Sequence, residues 1–155
     1  MKITLDAGEM AVANVLAAMR HGVNRHHGVV NGRMGPQSDF ETDLDGVVAE
    51  IAFCRWKNVC PDLSITPRSG GEDAIFAGKH VDIKATRRED GRLLAVATKE
   101  IEDADIYVLA IVKGNQVRFA GWAFAMELIS KDNLTDLGHG PTYALAQSRL
   151  RVFKE

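Results

Sequence analysis

Cysteine is scarce in this chain: Cys54 and Cys60 are the only two among 155 residues. Their spacing matches neither a disulfide framework nor a zinc ribbon, so a reducing, cytoplasmic setting is the expectation. Long apolar runs are missing as well. Nothing approaches the roughly 20 consecutive apolar residues that cross a bilayer. The opening residues, MKITLDAGEM, lack the apolar core and cleavage signature of a secretory signal. No membrane association is expected. Basic excess is absent too, since 19 Lys and Arg stand against 21 Asp and Glu. With a net charge of −2, no global positive field draws in a polyanion. There is no internal repeat and no low-complexity segment. What remains is 46% hydrophobic and 26% charged, the balance of an ordinary globular protein. The length suits one domain with a substantial core.

The charges that are present are unevenly placed. Residues 20–33 carry Arg20, Arg25 and Arg33 with His21, His26 and His27, and no acid. Residues 39–50 carry Asp39, Glu41, Asp43, Asp45 and Glu50, and no base. Two separate patches of opposite sign are expected, of the kind needed to grip a polyanion and hold a cation.

Periodicity supplies the framework. Residues 2–5 read as a short strand or arm. Asp6 and Glu9 form a capping box ahead of Val12, Val15, Leu16, Met19 and Val23, which predicts a helix from about Ala7 to Arg25 with those residues buried. Glycines and Pro36 make 28–42 a loop. A second helix is predicted from about Asp43 to Asn58, with Leu44, Val47, Val48, Ile51 and Cys54 as its buried stripe and Glu50 at the stripe's edge. Residues 61–72 form another loop. A hairpin turn at Ala77-Gly78-Lys79 follows, then strands at LLAVAT and Asp105–Lys113, and a tight turn at Gly114-Asn115 into Gln116–Gly121. A short helix is expected over Ala123–Ser130, a loop over 131–141, and an extended tail.

The chemistry concentrates in residues 71–88, GEDAIFAGKHVDIKATRR. Asp73 precedes the hairpin turn, and Asp82-Ile83-Lys84 lies on its second strand. Alternation points Asp82 and Lys84 to one face and Val81 and Ile83 to the other. A carboxylate and an ammonium on one face of an apolar strand are costly to bury unless paired or metal-bound. Asp82-Ile83-Lys84 is the only acid-x-lysine triplet in the chain.

With Glu50 upstream, in GVVAEIAF, and EDAIFAGKHVDIKAT carrying the hairpin, these residues resemble the PD-(D/E)XK nuclease superfamily. The later IYVLAIV, Gly121-Trp122 and AQSRL are similar to its small phage-type members. The resemblance implies a restriction-endonuclease-like α/β fold, a mixed sheet flanked by helices. It implies one domain over 1–155, with its core at about 43–123 and the N-terminal helix packed on it. It also implies cleavage of DNA phosphodiester bonds with Mg²⁺ or Mn²⁺. Asp73, Asp82 and the Ile83 carbonyl would bind the ion, and Glu50 would orient the site through water or a second metal. Lys84 would position or deprotonate the attacking water and stabilise developing charge. Arg25, Arg68, Arg87 and Arg88 are the candidate phosphate contacts. Cutting both strands requires two sites, which implies a homodimer, although no sequence feature shows one. The chain departs from the superfamily pattern at Glu72, where a proline is usual. It departs again at Gly114-Asn115, a tight turn where a helix is usual. The alternative is an inactive nucleic-acid-binding or protein-interaction module on the same fold.

Other residues have plainer readings. His80 shares strand parity with Asp82 and Lys84, but a hairpin-end histidine is expected to be exposed. His21, His26 and His27 sit at a helix end, not on the hairpin-plus-helix frame that a histidine-metal nuclease needs. Cys54, Trp56 and Trp122 are expected in packing, although either tryptophan has the flat face that stacks on a base.

Overall fold

The computed structural model describes residues 1–30, 35–66 and 72–154. After a short strand, β1 (Lys2–Thr4), Asp6 opens helix α1 (Ala7–His26). The Asp6 carboxylate accepts from the Glu9 amide and the Glu9 carboxylate from the Asp6 amide, a reciprocal cap as expected. Helix α2 (Asp39–Lys57) begins one turn before the expected Asp43, because Ser38 and Glu41 make a second box of the same kind. It stops where Asn58 turns left-handed at φ 53°.

The remaining elements follow in chain order as β2 (Ala74–Phe76), β3 (Lys79–Thr86), β4 (Leu93–Val96), β5 (Ile106–Lys113), β6 (Gln116–Phe124), α3 (Ala125–Leu128), β7 (Leu134–Asp136) and β8 (Pro141–Leu145). The turn between β2 and β3 holds Ala77 at φ 51° and Gly78 at φ 72°, the pairing a two-residue hairpin demands. Two readings of the sequence are corrected in the last third. The expected helix over Ala123–Ser130 shrinks to a single turn, because β6 runs on to Phe124. The expected loop at 131–141 contains β7, which closes on β8 as the Asp136 carboxylate accepts from the Gly138 and Gly140 amides.

The fold is mixed α/β with two sheets. The larger has the order β1-β6-β5-β3-β2, and the smaller β4-β8-β7. Among the described residues only β3 and β5 run parallel, and their crossover consists of β4 and one turn of 3₁₀ helix. Strand β5 is buried on both faces, with Val108, Ala110 and Val112 turned toward the core under α2 and Tyr107 and Leu109 toward the core of the smaller sheet. A bulge in β6 opposite Leu109 and Ala110 reverses that alternation, so Phe119 faces the first core and Ala123 the second. Just past it, a Cβ on Gly121 would lie 2.7 Å from Leu150 Cβ and 2.8 Å from the Arg151 carbonyl. Only glycine admits the C-terminal segment, which bridges Arg151 to Trp122.

Helix α1 is the principal correction. The expected stripe is buried only in part: Leu16 is buried and Val23 half-buried, with Ala13, Ala17 and Asn24 completing the inner face, while Val12, Val15 and Met19 are 50%, 61% and 49% exposed. Small side chains on the buried face let α2 come close. That rotation also turns Arg20, His21 and Arg25 onto the acids of α2. The apolar residues of the other face lose the competition because burying them would strand those charges. No helix among the described residues is long and apolar enough to cross a membrane.

Candidate active site

The two runs of opposite charge do not form separate patches. They face each other across the α1–α2 interface and pair: Arg20 with Glu50 at 2.7 Å, His21 with Asp43 at 2.7 Å, and Arg25 with Asp39 at 3.2 Å. The acids at the start of α2 also reach β3's end. The Arg87 guanidinium donates to both Asp45 oxygens, at 2.7 and 3.2 Å, and to Glu41 at 3.2 Å. Burial pushes the Asp45 carboxyl up, against the pull of Arg87.

At the other end of α2 the balance differs. Asp73 stands one residue before β2, and its amide donates to the Val81 carbonyl at 2.8 Å. Strand β2 provides no further backbone acceptor here, and the Asp73 carboxylate takes that place by accepting from the Ile83 amide at 2.6 Å. Burial, followed by the charges of Glu50 and Asp82, pushes the Asp73 carboxyl up to about 8, while the Ile83 amide and Lys84 pull it down. Asp73 therefore lies within electrostatic reach of all three other residues of the expected set. Glu50 comes from the helix side of the sheet. Asp82 and Lys84 project from the opposite face, as strand alternation predicts, because Val81 and Ile83 fill the core under α2.

Asp82 is only 2% exposed. Lys84 Nζ lies 2.6 Å from its Oδ1, and Lys99 Nζ lies 3.2 Å from its Oδ2. The first contact is a charge pair and not an aligned hydrogen bond, since Oδ1 accepts none among the described residues. Tyr107, opposite Asp82 in the parallel register, is fully buried, and its hydroxyl has no hydrogen-bond partner among the described residues. Burial and then the Asp82 charge hold that phenol protonated well above its usual range. Lys84 Nζ sits 6.0 Å from the Tyr107 ring centre.

An open cleft of about 350 Å³ is lined by Cys60, Pro61, Asp62, Glu72, Asp73, Ala74 and Ile75. Three of these are acids, so the cleft favours cations and repels a polyanion that arrives without one. Arg20 ties the same region together, donating to the carbonyls of Asp62 and Ser64 at 2.7 and 3.0 Å as well as to Glu50. Among the described residues, no three or more His, Cys, Asp or Glu side chains gather as a ready-made metal-ligand set.

The candidate phosphate contacts divide. Arg25 and Arg87 are held by acids of α2, whereas Arg88 is 71% exposed beside an equally open Asp90. Arg68 lies outside the described residues. His80 is exposed next to Glu72. Cys54 is core, its thiol pushed up to about 11 by burial and then by Glu50 and Asp73. Trp56 stacks on Phe119 at 5.1 Å, and Trp122 meets Phe124 edge-on.

Three residues of this region were not legible as such. Arg20 gave a signal, since it shares a helical face with Ala13, Ala17 and Asn24 and an arginine turned inward needs an acid. Lys99 lies in a connection without periodicity. Tyr107 is hidden inside an apolar strand. Family models, curated proteins and solved structures all give no match to this chain.

Proposed function

We propose that the chain is a divalent-metal-dependent nuclease that hydrolyses DNA phosphodiester bonds endonucleolytically, on a restriction-endonuclease-like fold and in the cytoplasm. One observation carries the reading: the half-buried Asp73 carboxyl, which accepts from the Ile83 amide at 2.6 Å, stands within electrostatic reach of both Glu50 and the buried Asp82. Crowded buried carboxylates are unfavourable without a countercharge, and a hard divalent cation provides one. In kind the donors suit Mg²⁺ or Mn²⁺, because the Asp73 and Asp82 carboxylates are hard oxygen ligands and Asp82 Oδ1 is buried without a hydrogen bond among the described residues; binding would have to draw them together, since they form no ready-made set. Asp73, Asp82 and the Ile83 carbonyl would hold the ion, with Glu50 acting through water or a second ion. When bound, such an ion neutralises charge on phosphoryl oxygens and acidifies water.

The chain's own residues do the rest. Lys84 sets its ammonium 2.6 Å from Asp82 Oδ1 and, at 34% exposure, remains reachable by a substrate phosphate or the attacking water. Lys99 secures the second oxygen, so Asp82 stays oriented if Lys84 turns away. Arg20 fixes Glu50 and the adjoining loop. Arg88, 71% exposed, is the most open of the described arginines offered as phosphate contacts. The tight turn at Gly114-Asn115 between β5 and β6, where the superfamily usually has a helix, would be this chain's variation on that fold.

The test is a cleavage panel on duplex, single-stranded and branched DNA with Mg²⁺, Mn²⁺ or chelator, beside DNA-binding measurements. A nuclease cuts only with metal, and Lys84→Ala keeps binding while losing cleavage. An inactive binding module on the same fold binds DNA and cuts nothing in either form. A wild type inert on every substrate ends the nuclease reading.

A further inference from the structure

Asp82 is met by two lysines, one more than its single charge needs. Two ammoniums on one buried carboxylate repel each other, so the second is held against a Coulomb penalty. They are not held alike. Lys99 reaches in from the connection after β4 and sets Nζ 3.2 Å from Oδ2, its side chain only 11% exposed. An ammonium enclosed to that degree would lose its carboxylate without gaining full hydration. Lys84 stands two residues from Asp82 on β3, so alternation alone brings it to that face. Its Nζ is 2.6 Å from Oδ1, yet Oδ1 accepts no aligned hydrogen bond among the described residues. The other ring or charge near it is Tyr107, 6.0 Å away at the limit of a cation–π contact. At 34% exposure, Lys84 can exchange its carboxylate for water.

Lys84 also serves the second aspartate. The β2–β3 register sets Ala74 against Val81, which brings Asp73 beside Asp82. The Lys84 charge pulls the Asp73 carboxyl down against the push of Glu50 and Asp82. One ammonium thus acts on both carboxyls, the service a divalent cation would perform with twice the charge.

We infer that Lys84 is a stand-in for a divalent cation in the ion-free protein: it yields Asp82 Oδ1 when an ion arrives, while Lys99 stays on Oδ2 as the fixed counter-charge. The inference rests on the nuclease reading and deepens it, because it sets an order of events. While it sits on Oδ1, the Lys84 ammonium is turned to the carboxylate. Once displaced, it is released to meet a substrate phosphate. The ion therefore enters before DNA is engaged, and Lys84 sets how much ion is needed.

The experiment uses Mn²⁺ alone, with no DNA present. Wild-type protein is trace-labelled with acetic anhydride, and each lysine is read by mass spectrometry with the remaining lysines as internal reference. Adding Mn²⁺ should raise Lys84 acetylation several-fold and leave Lys99 protected. In calorimetry, Lys84→Met should bind Mn²⁺ about fivefold tighter, the scale of one partly exposed charge pair removed as a competitor. Lys99→Met should bind it no tighter. Equal tightening in both variants would make the two lysines background charge and overturn the inference. So would Mn²⁺ binding that leaves Lys84 labelling unchanged in the wild type, a result that depends on no variant folding. If that wild type still cuts DNA with metal, the nuclease reading survives and this inference alone falls. No Mn²⁺ uptake at about 10 mM, beyond the weak end of protein cation sites, also overturns it.

Discussion

The two ends of α2 hold their acids on different terms. In the first two turns, every acid has a base: Asp39 meets Arg25, Asp43 meets His21, and Glu41 and Asp45 share Arg87. Near the other end, Glu50 has Arg20 and Asp82 has two lysines, but among the described residues Asp73 has only the Ile83 amide. Charge-matched acids hold elements together. An acid left in surplus, half-buried beside two others, is a poor way to stabilise a fold and a good way to receive a cation. The contrast predicts opposite responses to mutation at the two ends.

The largest effect is expected at Asp73. Asp73→Asn keeps an oxygen for the Ile83 amide and removes the charge that Glu50 and Asp82 oppose. Cleavage should fall by roughly 10²–10³-fold as the charge stabilisation of the reaction is lost. Metal-free stability should rise by about 1–2 kcal/mol, the usual sign when a crowded buried charge is neutralised. Mn²⁺ titration by calorimetry and chemical denaturation in chelator read the two arms. Loss of stability in chelator would mean that the Asp73 charge is structural, and the contrast would disappear.

Arg20 belongs to both kinds of chemistry, since it pairs Glu50 and pins the carbonyls of Asp62 and Ser64. Arg20→Ala should lower cleavage about tenfold by loosening Glu50, on the scale of a lost supporting contact at a metal site. Stability should fall by about 1–2 kcal/mol, because two carbonyls and a carboxylate lose their donor. Cleavage that falls no further than the folded fraction does would confine Arg20 to the structural side.

At the matched end the pattern reverses. Arg87→Ala leaves Asp45, 8% exposed, without its bidentate partner. The side chain of Arg87 is itself 42% exposed, so the loss stays near 1–2 kcal/mol, below the figure for a fully buried pair. Cleavage per folded molecule should stay within about threefold of wild type, as expected of a site without shared partners. Urea denaturation beside single-turnover cleavage makes the comparison.

Much of this contrast was legible before the fold was known, and the part that was not has a definite cause. Strand alternation placed Asp82 and Lys84 on one face, and the Ala77-Gly78 turn brought Asp73, just ahead of β2, alongside β3, because both rules are local. Local rules failed where long-range pairing decides. The basic run at 20–33 and the acidic run at 39–50 look like two patches until α1 folds back on α2 and they neutralise each other. The same event decided which face of α1 is buried. Periodicity favoured Val12, Val15 and Met19, but the charges on α1 needed the acids of α2 and took the helix round with them. Lys99 reaches Asp82 from a connection with no pattern, and only coordinates place it there.

The smallest effect is expected at Arg88, and it bears on whether exposed cations near the site do anything at all. Its partner Asp90 is 78% exposed, so the pair is screened and adds nothing measurable to stability. Arg88→Ala should therefore melt with the wild type. If Arg88 meets a backbone phosphate, KM for DNA rises about two- to threefold, and the slope of log affinity against log salt falls by about 1, the signature of one lost phosphate contact. The slope is the sharper reading, because a general change in net charge moves affinity without removing a whole counterion from the count. An unchanged slope assigns Arg88 to solvated surface. Together with the engaged Arg25 and Arg87, that result would leave Lys84, 34% exposed beside Asp82, as the described cation to test against a substrate phosphate.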